Sequence, residues 1–283
     1  PAPRELRYTI ALMSAFPAPP AALLNGICEN AYRRYHRREY LHPDPLEIVH
    51  EYPDPRDREV VALIASSLAL GQVKSILKAT REVLRTIPSP YRDLRGVSRE
   101  EMSRRLPGFV YRFFGTDRIS SFLAAIGSLL EDYGSIQEAF LEDYRSSHET
   151  VLPALTSLAY RLSHRAGGEH GILISFPDKG SASKRLHLFL RWMVRRDELD
   201  FGDWSAIDPA KLIVPVDTHM LRIARYLGMT DRKTADRRAA EEVSAAFREI
   251  NPSDPARYDF ALTRAGIHPE LAPQELGDVL GRV

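Results

Sequence analysis

The chain has 283 residues, 44% hydrophobic and 27% charged, with a formal net charge of +1. That length sits near the upper limit of a single hydrophobic core, so two lobes are expected, and no apolar run approaches the roughly 18 residues that a membrane span requires. A lone cysteine, Cys28, excludes an internal disulfide, a multi-thiolate metal site and a cysteine-held iron–sulfur cluster, and it fits a reducing, cytoplasmic setting.

Residues 1–20 are rich in proline, including Phe16-Pro17-Ala18-Pro19-Pro20, and read as a loose tail whose apolar stretch is too interrupted for a signal peptide. From residue 22 the spacing of Leu24, Ile27, Cys28, Ala31 and Tyr35 predicts an amphipathic helix, with Arg33, Arg34, Arg37 and Arg38 on its remaining face. His42, Asp44, Glu47 and His50 have the look of a metal-ligand set. Asp44 before Pro45 is more simply a helix cap, and no metal is expected. Residues 60–70 are apolar almost all round, as suits a buried core helix, and Gly71-Gln72 interrupts them ahead of a second helix over 75–87. Helical periodicity returns at 119–130, 136–144 and 151–162, whereas only 171–176 and 212–216 look strand-like. The fold class is therefore all-α.

Chemistry concentrates in two places. Residues 179–196 carry six basic side chains and no acidic one. In that stretch Leu186, Phe189, Leu190 and Met193 fall on one helical face, and Lys184, Arg191 and Arg195 fall on the other, which predicts a packed side and a cationic side. Gly180-Ser181-Ala182-Ser183 forms a turn before this helix, and free amides at such a start bind phosphate. It is not a Walker loop, because the first glycine and a preceding strand are missing. A first-turn lysine beside Arg185 is a candidate nucleophile, with Lys179, outside the helix, as the runner-up. The second place is Val214-Pro215-Val216-Asp217-Thr218-His219, where Asp217 starts a helix that Gly228 ends. An aspartate fixed by helix amides stays ionised at neutral pH and can be aimed at developing positive charge.

Val216-Asp217-Thr218-His219, followed by Arg222-Ile223 and Leu227-Gly228, resembles the element that carries the catalytic aspartate in helix-hairpin-helix DNA glycosylases related to endonuclease III. Lys184-Arg185-Leu186 through Met193 is similar to their catalytic-lysine helix, and the turn at Gly180 stands where the hairpin belongs. Leu63-Ile64-Ala65 through Gly71-Gln72 resembles the buried helix ending in a DNA-probing glutamine, and Tyr258-Asp259-Phe260-Ala261-Leu262 resembles a late helix. The usual Leu-Pro-Gly-Val-Gly hairpin does not precede Lys184, and no cysteine cluster follows Gly266. The 33 positions from Lys184 to Asp217 are closer to the archaeal 8-oxoguanine glycosylases, and the whole pattern is also similar to a bacterial family of glycosylase-like proteins.

The resemblance implies a two-lobed helical bundle, with residues 21–57 plus 205–283 in one lobe, 58–204 in the other, and DNA in the cleft between them. It implies a monomeric base-excision enzyme of the cytoplasm and nucleoid, needing no cofactor, whose partner is damaged double-stranded DNA. Lys184 and Asp217 would be catalytic. DNA contacts would come from Gln72, Gly180, Ser181, Ser183, Arg185, Arg191, Arg195 and His219, and Trp192, Trp204, Tyr258 and Phe260 are candidates for the base pocket. The alternative is a non-catalytic DNA- or RNA-binding protein with the same fold.

Overall fold

The computed structural model describes residues 21–168 and 173–267; the expected tail at 1–20 lies outside them. The protein is all-α, with thirteen helices among the described residues and a single two-stranded sheet. The helices are α1 (Ala21–Tyr35), α2 (Leu46–Val49), α3 (Pro55–Leu68), α4 (Val73–Arg85), α5 (Pro90–Leu94), α6 (Arg99–Arg105), α7 (Thr116–Tyr133), α8 (Ile136–Leu141), α9 (Leu152–Arg165), α10 (Lys184–Val194), α11 (Thr218–Tyr226), α12 (Arg237–Ile250) and α13 (Asp259–Ile267). No helix among these residues is long and apolar enough to cross a membrane.

Local chemistry sets most of the boundaries. Helix α3 begins at Pro55, ahead of the expected start, because the Asp54 side chain accepts the Arg56 amide and proline fits the first helical turn. Its residues from Glu59 to Leu68 are all buried, which accounts for the apolar run. Ser98, Ser135 and Asp236 cap α6, α8 and α12 in the same way. Gly228, at φ +70°, follows α11, a conformation that glycine adopts without strain.

Two strand expectations fail locally. Residues 212–216 form no strand, and neither does Leu173–Phe176; residues 171–172 lie outside the described residues. A hairpin that periodicity did not reveal pairs β1 (Val110–Tyr111) with β2 (Phe114–Gly115). Its strands are too short for an alternating pattern, and its turn holds Arg112 at φ +55°. His42, Asp44, Glu47 and His50 serve separate structural bonds. Asp44 binds Arg264 and the Leu46 amide, His42 binds Glu47, and His50 binds the Leu199 carbonyl.

Helix α1 packs on α12 and α13, and α11 packs on α13, so the N- and C-terminal segments come together. In the middle of the chain α3 touches α2, α4, α5 and α10, while α7 touches α5, α6, α8 and α9. One continuous hydrophobic cluster runs from Ile27 to Leu262 through all of them.

Candidate functional site

Helix α10 starts after a tight entry. Pro177–Lys179 forms a 3-10 turn, Gly180 takes a left-handed conformation (φ +84°), and Ser183 is also left-handed at φ +45°. For a residue with a Cβ that geometry is strained. Two contacts hold it: the Ser183 amide donates to Ser181 Oγ at 3.0 Å, and the Gly180 carbonyl accepts the Arg237 amide at 3.0 Å. Lys184 is the first residue of α10, with its side chain 30% exposed.

Asp217 caps α11. Its Oδ1 accepts the His219 and Met220 amides at 2.9 and 3.0 Å, which leaves Oδ2 free to point elsewhere. It points at Lys184: Nζ lies 3.5 Å from Oδ2. Burial pushes the Asp217 carboxyl up, but the Lys184 ammonium and the capping amides outweigh it and hold the group below the usual carboxylate range. Two groups 33 positions apart in the chain are thus neighbours on partly exposed surface.

Behind this pair lies an ionic layer that the periodicity of α10 did not reveal. Arg191 and Arg195 were expected on an exposed cationic face, yet they are 2% and 3% exposed. Arg191 donates through Nη1 to Asp259 at 2.6 Å and through Nη2 to Asp200 at 3.3 Å; Arg195 binds Asp197, Asp200 and Asp254. Charged side chains enter an interior only when paired in this way, so neither arginine is available to a phosphate. The pairing acids stand 59 and 68 positions away in the cases of Asp254 and Asp259. Asp259 is the site residue that sequence reasoning missed. Burial pushes its carboxyl up against the pull of Arg191 and Lys184, and it also feels Asp217. The one available signal was six uncompensated cations in a stretch otherwise fit for a core, which demands acids from elsewhere.

The other candidates divide. Gln72 and Ser181 are exposed, as are Gly180 and His219. Ser183 is 2% exposed with its amide already committed, which removes it as a phosphate contact. Arg185 is partly buried, donates to the Ser67 carbonyl at 2.6 Å, and is lowered to about 10 by burial. That bond ties the start of α10 to the end of α3, just ahead of Gly71-Gln72. The four aromatic candidates are core. Trp192 and Trp204 are 0% and 1% exposed, Tyr258 is 1% and Phe260 is 3%. Trp204 donates to Glu59 and packs edge-on against Phe189; Tyr258 donates to Glu29; Phe260 lies under Arg264. None of them lines an open pocket, because each completes the packing between helices. Lys179 is exposed, its ammonium over the Phe176 ring.

An open depression of about 730 Å³ lies past the C-terminal end of α11, lined by Gly228–Thr234 and Glu242. No group of three or more His, Cys, Asp or Glu among the described residues could hold a metal ion. Compared with known proteins, the chain matches no curated protein and no solved structure. The sequence family described as "Protein of unknown function (DUF2400)" matches residues 44–268, which takes in α3, the ionic layer, Lys184 and Asp217, and the chain belongs to that family.

Proposed function

We propose that this protein is a DNA repair glycosylase with lyase activity, in which Lys184 is the nucleophile and Asp217 the supporting carboxylate. The observation that carries the reading is the 3.5 Å approach of Lys184 Nζ to Asp217 Oδ2, with the second carboxylate oxygen fixed by two helix amides. A nucleophilic amine and a carboxylate serve one sugar only if both reach it, and that requires them to be neighbours. In the reaction the Lys184 ammonium passes a proton to the Asp217 carboxylate beside it, and the neutral amine bonds to the sugar C1′ as the bond from C1′ to the base nitrogen breaks. The base leaves with the electron pair and takes up a proton. Asp217 stabilises the cationic sugar, and ring opening gives the protonated imine from which the strand is cleaved. The target nucleotide must leave the duplex stack, at a cost of a few kcal/mol that is least for a damaged base. By likeness of spacing to the archaeal enzymes, 8-oxoguanine is the first substrate to try.

Borohydride trapping on lesion-bearing duplexes tests this. The expected result is a covalent adduct that Lys184→Gln abolishes with the fold retained. Salt-sensitive retention of the duplex with no adduct on any lesion would sink the enzyme in favour of a non-catalytic nucleic-acid binder.

A further inference from the structure

With Arg191 and Arg195 committed inside, other cations must meet a polyanion at this site. Helix α11 supplies them. Its buried side is Met220, Leu221, Ile223 and Ala224. Thr218, Arg222 and Arg225 are exposed, and at positions i, i+4 and i+7 they form one stripe that starts beside Asp217. The helix contains no acidic residue. Most arginines of this protein are tied to a carboxylate, a carbonyl or a ring, but the side chains of Arg222 and Arg225 make no hydrogen bond, ion pair or ring contact among the described residues. Past Gly228, the loop lining the 730 Å³ depression carries exposed Lys233 and exposed Asp231, with its Arg232 held by Asp236 and Glu242. That loop is fastened to the glycine turn ahead of Lys184, because Ser181 bridges to Asp236 and Arg237 donates to Gly180.

Resting on the glycosylase reading, we infer that the exposed face of α11, Arg222 and Arg225 with Lys233 beyond, is a track for the sugar–phosphate backbone of the DNA strand presented to Lys184 and Asp217. The eight steps from Asp217 to Arg225 span about 12 Å at the helical rise of about 1.5 Å. Phosphates of one strand recur about every 3.4 Å along a duplex axis, so the stripe matches a run of about three or four. Arginine is the side chain whose planar fork suits a phosphate. Arg225 also lies in the last turn of α11, where it favours the helix dipole; that local role needs only one of the two arginines and no DNA.

The test is the salt dependence of binding to a duplex carrying 8-oxoguanine. Each lost phosphate contact flattens the slope of log K against log salt by about 0.9, so the double variant Arg222→Gln/Arg225→Gln is expected to flatten it by about 1.8. Arg222→Lys/Arg225→Lys, which keeps the charges, should leave the slope in place, as should Arg104→Gln on α6. An unchanged slope in a folded double variant that still forms the adduct overturns the track alone. A flattened slope with no adduct in the wild type leaves the track standing and overturns the chemistry. A wild type that retains no duplex overturns both.

Discussion

Asp217 does two jobs with two oxygens, and substitutions separate them. Asparagine caps a helix about as well as aspartate, and alanine costs about 1 kcal/mol. Asp217→Asn is therefore expected to keep the urea midpoint close to wild type while cutting adduct formation about 100-fold or more, because the charge facing Lys184 is gone. Asp217→Ala should lose both. If Asp217→Asn forms adduct at the wild-type rate, the carboxylate is only a cap. The pH dependence follows from the direction of the shift. A folded-state value held below the usual 3.8 means that the ion pair and cap stabilise fully above that value, and the contribution fades only as pH falls through the lower folded value. Asp217 is therefore ionised near neutral pH.

At the scale of elements, close approach decides more than propensity does. Gly127 lies inside α7, where α5 crosses it; a Cβ there would stand 1.9 Å from the Leu94 carbonyl oxygen and 2.9 Å from its carbon. Backbone cannot retreat as a side-chain tip can. Gly127→Ala is expected to destabilise by more than about 3 kcal/mol or to prevent folding. Gly26 on the exposed side of α1 is the contrast, with nothing within 4 Å of its missing Cβ, so Gly26→Ala should stabilise by about 0.5–1 kcal/mol. Denaturant midpoints of the two variants should move in opposite directions; equal shifts would refute the helix crossing. The sequence reading placed both glycines in or beside helices but had no means of telling them apart.

For the molecule as a whole, Glu59 on α3 joins distant segments. It accepts the Ile136 and Gln137 amides at the start of α8, at 3.0 and 2.8 Å, and the Trp204 indole N–H at 2.8 Å. Burial pushes its carboxyl up to about 7, against the pull of those three donors. Since the folded value exceeds the usual 4.5, the folded state holds the proton more tightly than the unfolded chain. Stability is complete below about pH 4.5 and declines as pH rises through about 7, by up to about 3 kcal/mol at 1.36 kcal/mol per unit. Urea unfolding from pH 5 to pH 8 should show that decline. Glu59→Gln should flatten it while costing about 1–3 kcal/mol, because one of the three donors loses its acceptor. A wild type whose stability is level across this range would refute the assignment.

What the sequence determined by itself is what short-range physics controls. Apolar spacing gave the helices and the all-α class, Asp217 before Thr218 gave a cap, and a glycine turn gave the start of α10. The tertiary structure decided which charges are inside. Arg191 and Arg195 look like a cationic face until Asp254 and Asp259 arrive from the far end of the chain, and Trp192, Trp204, Tyr258 and Phe260 look like pocket walls until packing closes over them. The meeting of Lys184 with Asp217 belongs to the same category. Helical periodicity extends over a few turns, whereas the desolvation and pairing of a charge depend on groups that only the folded chain brings within a few ångströms.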